Sequence, residues 1–168
     1  TYDILGLVGA PFSSAPNLGK ERFEEVLNEI KKLENQSYPP FSSKTVSGKP
    51  LHEWAREGRL GEIKIPERKV DIKSLEVLEE KTISATDFLN TIVTAIGRVE
   101  GDFRQKEIIK RWTEILSSKL GETYKIFKMK AVVSSGTYIR GLVEEIGKDL
   151  RCGAVTLSIK RTKVGVYD

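Results

Sequence analysis

The chemistry open to this chain is limited by its supply of reactive side chains. It has one histidine, His52, and one cysteine, Cys152, among 168 residues. A lone cysteine cannot form an internal disulfide, and one histidine with one cysteine is too small a ligand set for a zinc site. Any nucleophilic or acid–base chemistry must therefore rely on carboxylate, tyrosine or arginine side chains.

The most informative segment is Ser134–Arg140, which reads Ser-Ser-Gly-Thr-Tyr-Ile-Arg. It lies where a strand pattern passes into a helix pattern, and loops at such junctions present side chains from a rigid frame. Helical geometry puts Tyr138 and Arg140 on opposite flanks of the apolar stripe led by Ile139, so both can face a common cleft. The alternative interpretation is a packed tyrosine and a surface arginine paired with Glu144 one turn on.

Arg161 is the second candidate. Val155, Leu157 and Ile159 alternate along a predicted last strand, and Arg161 continues the alternation. The pattern predicts that Arg161 points toward the buried side, where an arginine needs a carboxylate, carbonyl or phosphate partner. It could also lie at the frayed end of the strand.

The elements that must position these residues follow from hydrophobic periodicity. Helices are predicted over 20–33, 50–58 and 138–150, with two more capped by Ser84 and Asp102, the latter with Gln105 at its third helical position. Extended stretches are predicted over 69–80 and 123–134, in addition to the last strand. Helices and strands that interleave without a regular repeat are typical of a single α+β domain rather than a doubly wound sheet.

Charge is unevenly distributed along the chain, although its net value is only +4. Residues 31–73 carry a net charge of +4 and residues 104–168 carry +7, each preceded by an acidic stretch. Two basic blocks suit a polyanion such as RNA, although many solvated surfaces look similar. No apolar run approaches the roughly 18 residues of a membrane helix and no signal peptide is visible, so we expect a soluble, intracellular protein.

Three sequence blocks occur in a fixed order along the chain. Thr1-Tyr2-Asp3-Ile4-Leu5-Gly6 is similar to the end of a TDTxDxxG motif, and residues 36–58 are similar to a PPxxSAxK…GxxxYExARxG segment. Gly136-Thr137-Tyr138-Ile139-Arg140, with the later Cys152-Gly153-Ala154 and Lys160-Arg161-Thr162, is similar to a GTYIR block and the strand that follows it. Together these blocks resemble the TruB-type tRNA pseudouridine synthases.

The resemblance implies an incomplete catalytic domain of α+β fold, with a mixed, largely antiparallel sheet flanked by helices. Tyr138 would stack on the target uracil and assist proton removal, and Arg140 would hold the nucleophilic aspartate ionised and oriented. Ile159 and Arg161 would line the substrate pocket. The substrate would be a T-loop uridine of tRNA in the cytoplasm, and no metal or organic cofactor is implied.

A thumb-like segment over 36–60 would close on the T-loop and bind the RNA. Its expected RNA-binding residues are Pro39, Pro40, Ser42, Lys44, Gly48, Lys49, His52 and Arg56. His52 stands where the family has a tyrosine. Residues 84–120 form a helical insertion to which the resemblance assigns no role.

The resemblance places the nucleophilic aspartate in a Leu-Asp-Pro block upstream of the motif that contains Asp3. None of the chain's aspartates has that context, and Asp3 corresponds to a structural position. We therefore expect the isolated chain to be inactive unless a preceding segment or a complementing chain supplies the aspartate, and we expect no C-terminal RNA-binding domain in it. Two alternatives stay open, a non-catalytic RNA-binding or tRNA-folding module and a scaffolding protein without an RNA role.

Overall fold

The computed structural model describes residues 3–6, 18–101 and 104–165. Within these ranges the fold is α+β, as predicted, with five α-helices and three antiparallel strand pairs. The helices are α1 (Lys20–Ile30), α2 (Leu51–Arg56), α3 (Ala85–Gly97), α4 (Gln105–Ser117) and α5 (Ile139–Asp149). The strands are β1 (Asn35–Ser37), β2 (Thr45–Val46), β3 (Lys49–Pro50), β4 (Glu67–Lys69), β5 (Ile72–Ser84) and β6 (Thr123–Val133).

A long antiparallel ribbon of β5 and β6 is the frame of the domain. Its register runs from Ile72 opposite Val133 to Ser84 opposite Thr123. Both α3 and α4 lie in the connection between the two strands, so the predicted insertion leaves the ribbon at one end and returns to it. At the exit, Ser84 caps α3 as predicted, because its hydroxyl accepts a hydrogen bond from the Asp87 backbone N–H at 3.1 Å.

The first of two apolar cores lies at the end of the ribbon next to α1 and α5. The helical spacing of apolar residues predicted both helices, and their stripes meet here with the first residues of β5. Phe23 of α1 stacks on Phe127 of β6, with ring centroids 4.1 Å apart. The buried members of this core are Phe23, Val26, Leu27, Ile30, Ile72, Leu75, Leu142 and Ile146.

The second core is built around α3 and α4. Trp112 is fully buried at its centre, and Phe88 packs edge-on against it with ring centroids 6.1 Å apart. Ile4 belongs to the same core, and Val155 and Leu157 pack against it. The helical insertion is therefore part of the domain interior rather than an appendage. Within the described ranges, no helix combines the length and apolarity needed to cross a membrane.

The helices α1, α2 and α5 are shorter than predicted, and α4 begins later than predicted. The helix expected to start after an Asp102 cap begins at Gln105, so Gln105 is its first residue rather than its third. The residue before it, Arg104, has a left-handed backbone with φ +60°, which interrupts the helix there. Asp102 itself lies outside the described residues. The helix predicted over 138–150 is α5, in which Tyr138 occupies the N-cap position.

The prediction of a last strand containing Val155, Leu157 and Ile159 is wrong. Thr156 forms a single parallel bridge to Asp3, but residues 157–163 have no assigned strand. Ile159 is 54% exposed, and Arg161 is exposed rather than turned to the buried side. Alternation favours an extended backbone, but a strand also needs a hydrogen-bonded neighbour along its length, and over residues 155–161 the structure shows a bridge only at Thr156.

Candidate active site

The turn between β6 and α5 is held tightly in place. Ser134 donates its backbone N–H to the Asp71 carbonyl at 2.8 Å, and its hydroxyl accepts from the Asp71 N–H at 2.9 Å. The Thr137 hydroxyl donates to the Ser134 carbonyl at 2.9 Å. Gly136 has a φ of +80°, a left-handed conformation that glycine adopts without steric cost. These contacts fix the position from which Tyr138 and Arg140 project.

Gln36 clamps the backbone of Tyr138. Its side-chain amide donates to the Tyr138 carbonyl at 3.0 Å, and its side-chain oxygen accepts from the Tyr138 N–H at 2.8 Å. Gln36 is buried, so both groups need these partners. Gly141 makes room for the clamp, since a Cβ there would lie 2.8 Å from Gln36 Nε2. Gln36 was not predicted as a site residue, although it begins the sequence block that contains the two prolines.

The Tyr138 ring belongs to an aromatic and cationic cluster. Tyr38 meets it edge-on, with ring centroids 5.7 Å apart. Lys44 Nζ lies 5.3 Å and Arg68 Cζ 5.9 Å from the centroid of the Tyr38 ring, both within cation–π range. Arg68 also donates from Nη2 to the Ser135 carbonyl at 2.9 Å. The thumb-like segment and the Tyr138 turn are thus in contact, which the sequence blocks did not predict.

Arg140 forms an ion pair with Asp3. The distance from Arg140 Nη1 to Asp3 Oδ2 is 2.6 Å, and the two side chains are 31% and 19% exposed. The other oxygen of Asp3 accepts a hydrogen bond from the Leu5 N–H at 3.1 Å. The alternative pairing of Arg140 with Glu144 is therefore not the one observed. The first and third sequence blocks meet at this ion pair.

The thumb-like segment is compact, and its expected RNA-binding residues divide into two groups. Lys44, Gly48 and Arg56 are exposed, with Gly48 in the turn between β2 and β3. The other group consists of buried or half-buried residues, namely Pro39, Pro40, Ser42, Lys49 and His52.

Lys49 and His52 have structural partners within the segment. The ammonium group of Lys49 pairs with Glu57 and lies 4.6 Å from the Trp54 ring centroid. The hydrogen bond that Lys49 donates to Glu57 lowers the pKa of the Glu57 carboxyl. The His52 ring contacts the Ser42 carbonyl, with 3.1 Å between Nδ1 and the oxygen. Lys44 and Arg56 are thus the better placed of the segment's predicted cations to reach a phosphate.

The lone cysteine does not offer a nucleophile. Burial raises the pKa of the Cys152 thiol, so it stays protonated near neutral pH, and the thiolate is the reactive form.

The two residues expected to line the substrate pocket, Ile159 and Arg161, are both exposed on the irregular segment after Thr156. Their place in a substrate pocket stays a prediction, and the predicted site residues that the structure ties to other sequence blocks are Arg140, through Asp3, and Tyr138, through Gln36.

Comparison with known proteins identifies relatives along the whole chain. The family described as TruB family pseudouridylate synthase (N terminal domain) matches residues 1–94. The tRNA pseudouridine synthase B of Mesomycoplasma hyopneumoniae (strain 232) is 26% identical over 100% of the chain, and that of Aquifex aeolicus (strain VF5) is 30% identical over 98%. The tRNA pseudouridine synthase 4 of Saccharomyces cerevisiae is 31% identical over 75% of the chain.

The chain spans 38% to 42% of the length of these relatives. The family match covers more than half of the chain and includes Asp3, Gln36 and Lys44. Tyr138 and Arg140 lie beyond it, but within the alignment to the Mesomycoplasma protein, which takes in all 168 residues. The chain belongs to the TruB family of pseudouridylate synthases.

Proposed function

We propose that this chain is part of a tRNA pseudouridine synthase that isomerises a T-loop uridine. The observation that carries the proposal is the pairing of Arg140 with Asp3 beside a Tyr138 whose backbone is fixed by Gln36. In the reaction the bond from N1 of uracil to C1′ of ribose breaks, a bond from C5 to C1′ forms, the C5 proton leaves, and N1 takes up a proton. The base must leave its stack for this chemistry, so it needs a stacking wall and an electrostatic anchor.

Tyr138 and Arg140 are proposed as the catalytic residues. The Tyr138 ring would stack on the uracil, and its hydroxyl would assist removal of the C5 proton. Arg140 would orient the carboxylate that attacks the nucleotide. A guanidinium carries five N–H donors, and in the described part of the chain Arg140 uses Nη1 on Asp3. Donors therefore remain for a second carboxylate.

Asp3 is proposed as the residue that orients Arg140, and not as the nucleophile. Both of its oxygens accept hydrogen bonds, one from Arg140 and the other from the Leu5 N–H. These two hydrogen bonds hold the carboxylate toward protein donors, which suits an orienting role. We accordingly propose that the nucleophilic aspartate lies outside these 168 residues, in a preceding segment or a complementing chain.

The experiment that tests this function measures pseudouridine in an unmodified tRNA transcript by mass spectrometry of mapped fragments. The isolated chain is expected to leave every uridine unchanged. The protein expressed with any residues that its gene encodes before Thr1, or the chain mixed with that segment, is expected to convert one T-loop uridine. Conversion by the isolated chain would contradict the assignment of Asp3. Conversion by neither protein, with tRNA bound, would favour a non-catalytic RNA-binding module.

RNA contact is proposed for the exposed cations of the thumb-like segment, of which Lys44 is next to the Tyr38–Tyr138 pair. Replacing Lys44 with alanine is expected to weaken tRNA binding about tenfold in moderate salt. The slope of log affinity against log salt should fall by about 1, because one phosphate contact is lost. Filter binding of tRNA to the 168-residue chain over a salt series measures both quantities.

The matched control is Lys20→Ala. Lys20 is a strongly exposed lysine at the start of α1, outside the thumb-like segment, with 84% of its side chain accessible. This variant is expected to bind tRNA almost as the unchanged chain does. Equal weakening by both substitutions would mean that binding responds only to net charge, and the contact assigned to Lys44 would be withdrawn.

A further inference from the structure

We infer that Trp112, from the helical insertion, is a positioning residue for the Asp3–Arg140 pair. The inference rests on the proposed function, because it assigns the insertion a part in the same site. The sequence blocks give α3 and α4 no role. Their physical connection to the site runs through the peptide unit of Ile4.

Packing in the core around α3 and α4 fixes the orientation of the Trp112 ring. Its side chain is fully buried, and Phe88 of α3 packs edge-on against its ring. A bulky ring in such surroundings has a single orientation, so its indole N–H is a rigid donor. That N–H donates to the Ile4 carbonyl at 3.2 Å.

Ile4 is held from three directions. Its carbonyl accepts from Trp112, its N–H donates to the Thr156 carbonyl at 3.3 Å, and its side chain is 5% exposed within the insertion's core. A peptide unit anchored on both polar groups and on its side chain cannot rotate freely. The backbone of the preceding residue, Asp3, is thereby fixed as well.

The position of Asp3 in turn decides where Arg140 points. Asp3 is held at 2.6 Å from Arg140 Nη1. Arg140 starts from the first turn of α5 and has a long, flexible side chain, so its ion pair supplies the restraint on the guanidinium that the helix does not. Loss of the indole donor would leave the buried Ile4 carbonyl without this partner and loosen the chain at Asp3.

The test is Trp112→Phe, which keeps an aromatic ring in the core and removes the N–H. In the active protein, kcat is expected to fall roughly 10- to 100-fold while KM for tRNA stays within about threefold, because a displacement of order 1 Å is costly for catalysis. In an Asp3→Asn background the same substitution should add little further loss, since the effect passes through Asp3. Full additivity of the two losses would overturn the inference.

A packing control separates positioning from stability. Ile108→Val removes a methylene from the same core and touches no hydrogen bond of Ile4, so it should lower the melting temperature and leave kcat unchanged. A kcat loss equal to that of Trp112→Phe at equal stability would reduce Trp112 to a core residue and overturn the inference.

A readout without turnover keeps this test apart from the proposed function. In the 168-residue chain labelled with ¹⁵N, the Nε–H resonance of Arg140 should shift or broaden in Trp112→Phe and stay in place in Ile108→Val. An unmoved resonance in both variants overturns the positioning role. A moved resonance in a protein that never forms pseudouridine would support the coupling and count against the proposed function alone.

Discussion

Replacing Arg140 with alanine is expected to lower kcat for pseudouridine formation by about 1,000-fold, which corresponds to about 4 kcal/mol of lost transition-state stabilisation. The guanidinium is proposed to hold the attacking carboxylate, and its partner in the structure is Asp3 rather than a surface group. An interaction of this kind acts on the reaction rather than on the RNA. The affinity for tRNA should therefore change by no more than about threefold.

Single-turnover kinetics and filter binding on the same variants check this prediction. Lys148→Ala is the matched control, because Lys148 lies in the last turn of α5 and pairs with Glu145 on the surface at 2.8 Å. It should leave kcat unchanged. Arg140→Lys keeps the charge without the planar fork and should recover only part of the loss. A variant that lost affinity but kept its rate would show that Arg140 binds phosphate, which contradicts the assigned role.

The second large effect is a loss of stability expected from Gly147→Ala. A loss would be opposite to the usual effect of replacing glycine with alanine in a helix. Alanine normally stabilises a helix relative to glycine by up to about 1 kcal/mol. Gly147 is a buried residue of α5 whose carbonyl accepts from the Gly153 N–H at 3.0 Å. A Cβ there would collide with the backbone of Gly153 and Ala154, which no side-chain rotation can relieve. We expect a loss of about 1 to 3 kcal/mol in the free energy of unfolding.

Thermal unfolding of the chain measures this loss as a fall of about 3 to 10 °C in melting temperature. Gly97→Ala is the control, since a Cβ in the last position of α3 meets nothing within 4 Å. That variant should be as stable as the unchanged chain or slightly more so. Residues 153 and 154 lead directly to Thr156, so Gly147→Ala should also disturb the anchor of Ile4. An unchanged or raised melting temperature would show that the close packing of α5 on this segment is not required.

The local features of the fold were predictable because they depend on neighbours in sequence. The apolar spacing of α1 and α5 and the Ser84 cap each require only a few consecutive residues to be read. The site turn was found for the same reason, since a glycine between a strand pattern and a helix pattern marks a junction. The α+β class followed from the order of these elements.

Hydrophobic periodicity could not predict contacts between residues that are far apart in the sequence. The Asp3–Arg140 pair joins residues 137 positions apart, and the Gln36 clamp on Tyr138 joins residues 102 apart. The prediction of a last strand was wrong for a related reason. Alternation of apolar residues does not show whether another strand lies beside the segment to form hydrogen bonds with it. The composition of the thumb-like segment also did not show which of its predicted RNA-binding residues are buried. Ser42 is buried, whereas Lys44 is exposed.

The charge of Lys49 illustrates the same limit. A lysine in a basic block suggests a phosphate contact, but Glu57 and the Trp54 ring occupy it within the segment. A carboxylate partner offsets the charge of the ammonium group and so weakens its attraction for a phosphate. Its place in the RNA interface therefore stays a prediction, and Lys44 is the more direct probe of that surface.

The most direct measurement of the central claim is release of tritium from tRNA transcribed with [5-³H]uridine. Isomerisation moves the glycosidic bond to C5 and expels the hydrogen there, so each modified uridine releases one label. The protein expressed with any residues encoded before Thr1 should release one tritium per tRNA, and Arg140→Ala should release almost none in the same time. If the protein bound this tRNA and released no tritium, the Tyr138–Arg140 site would not be a uridine-isomerising centre.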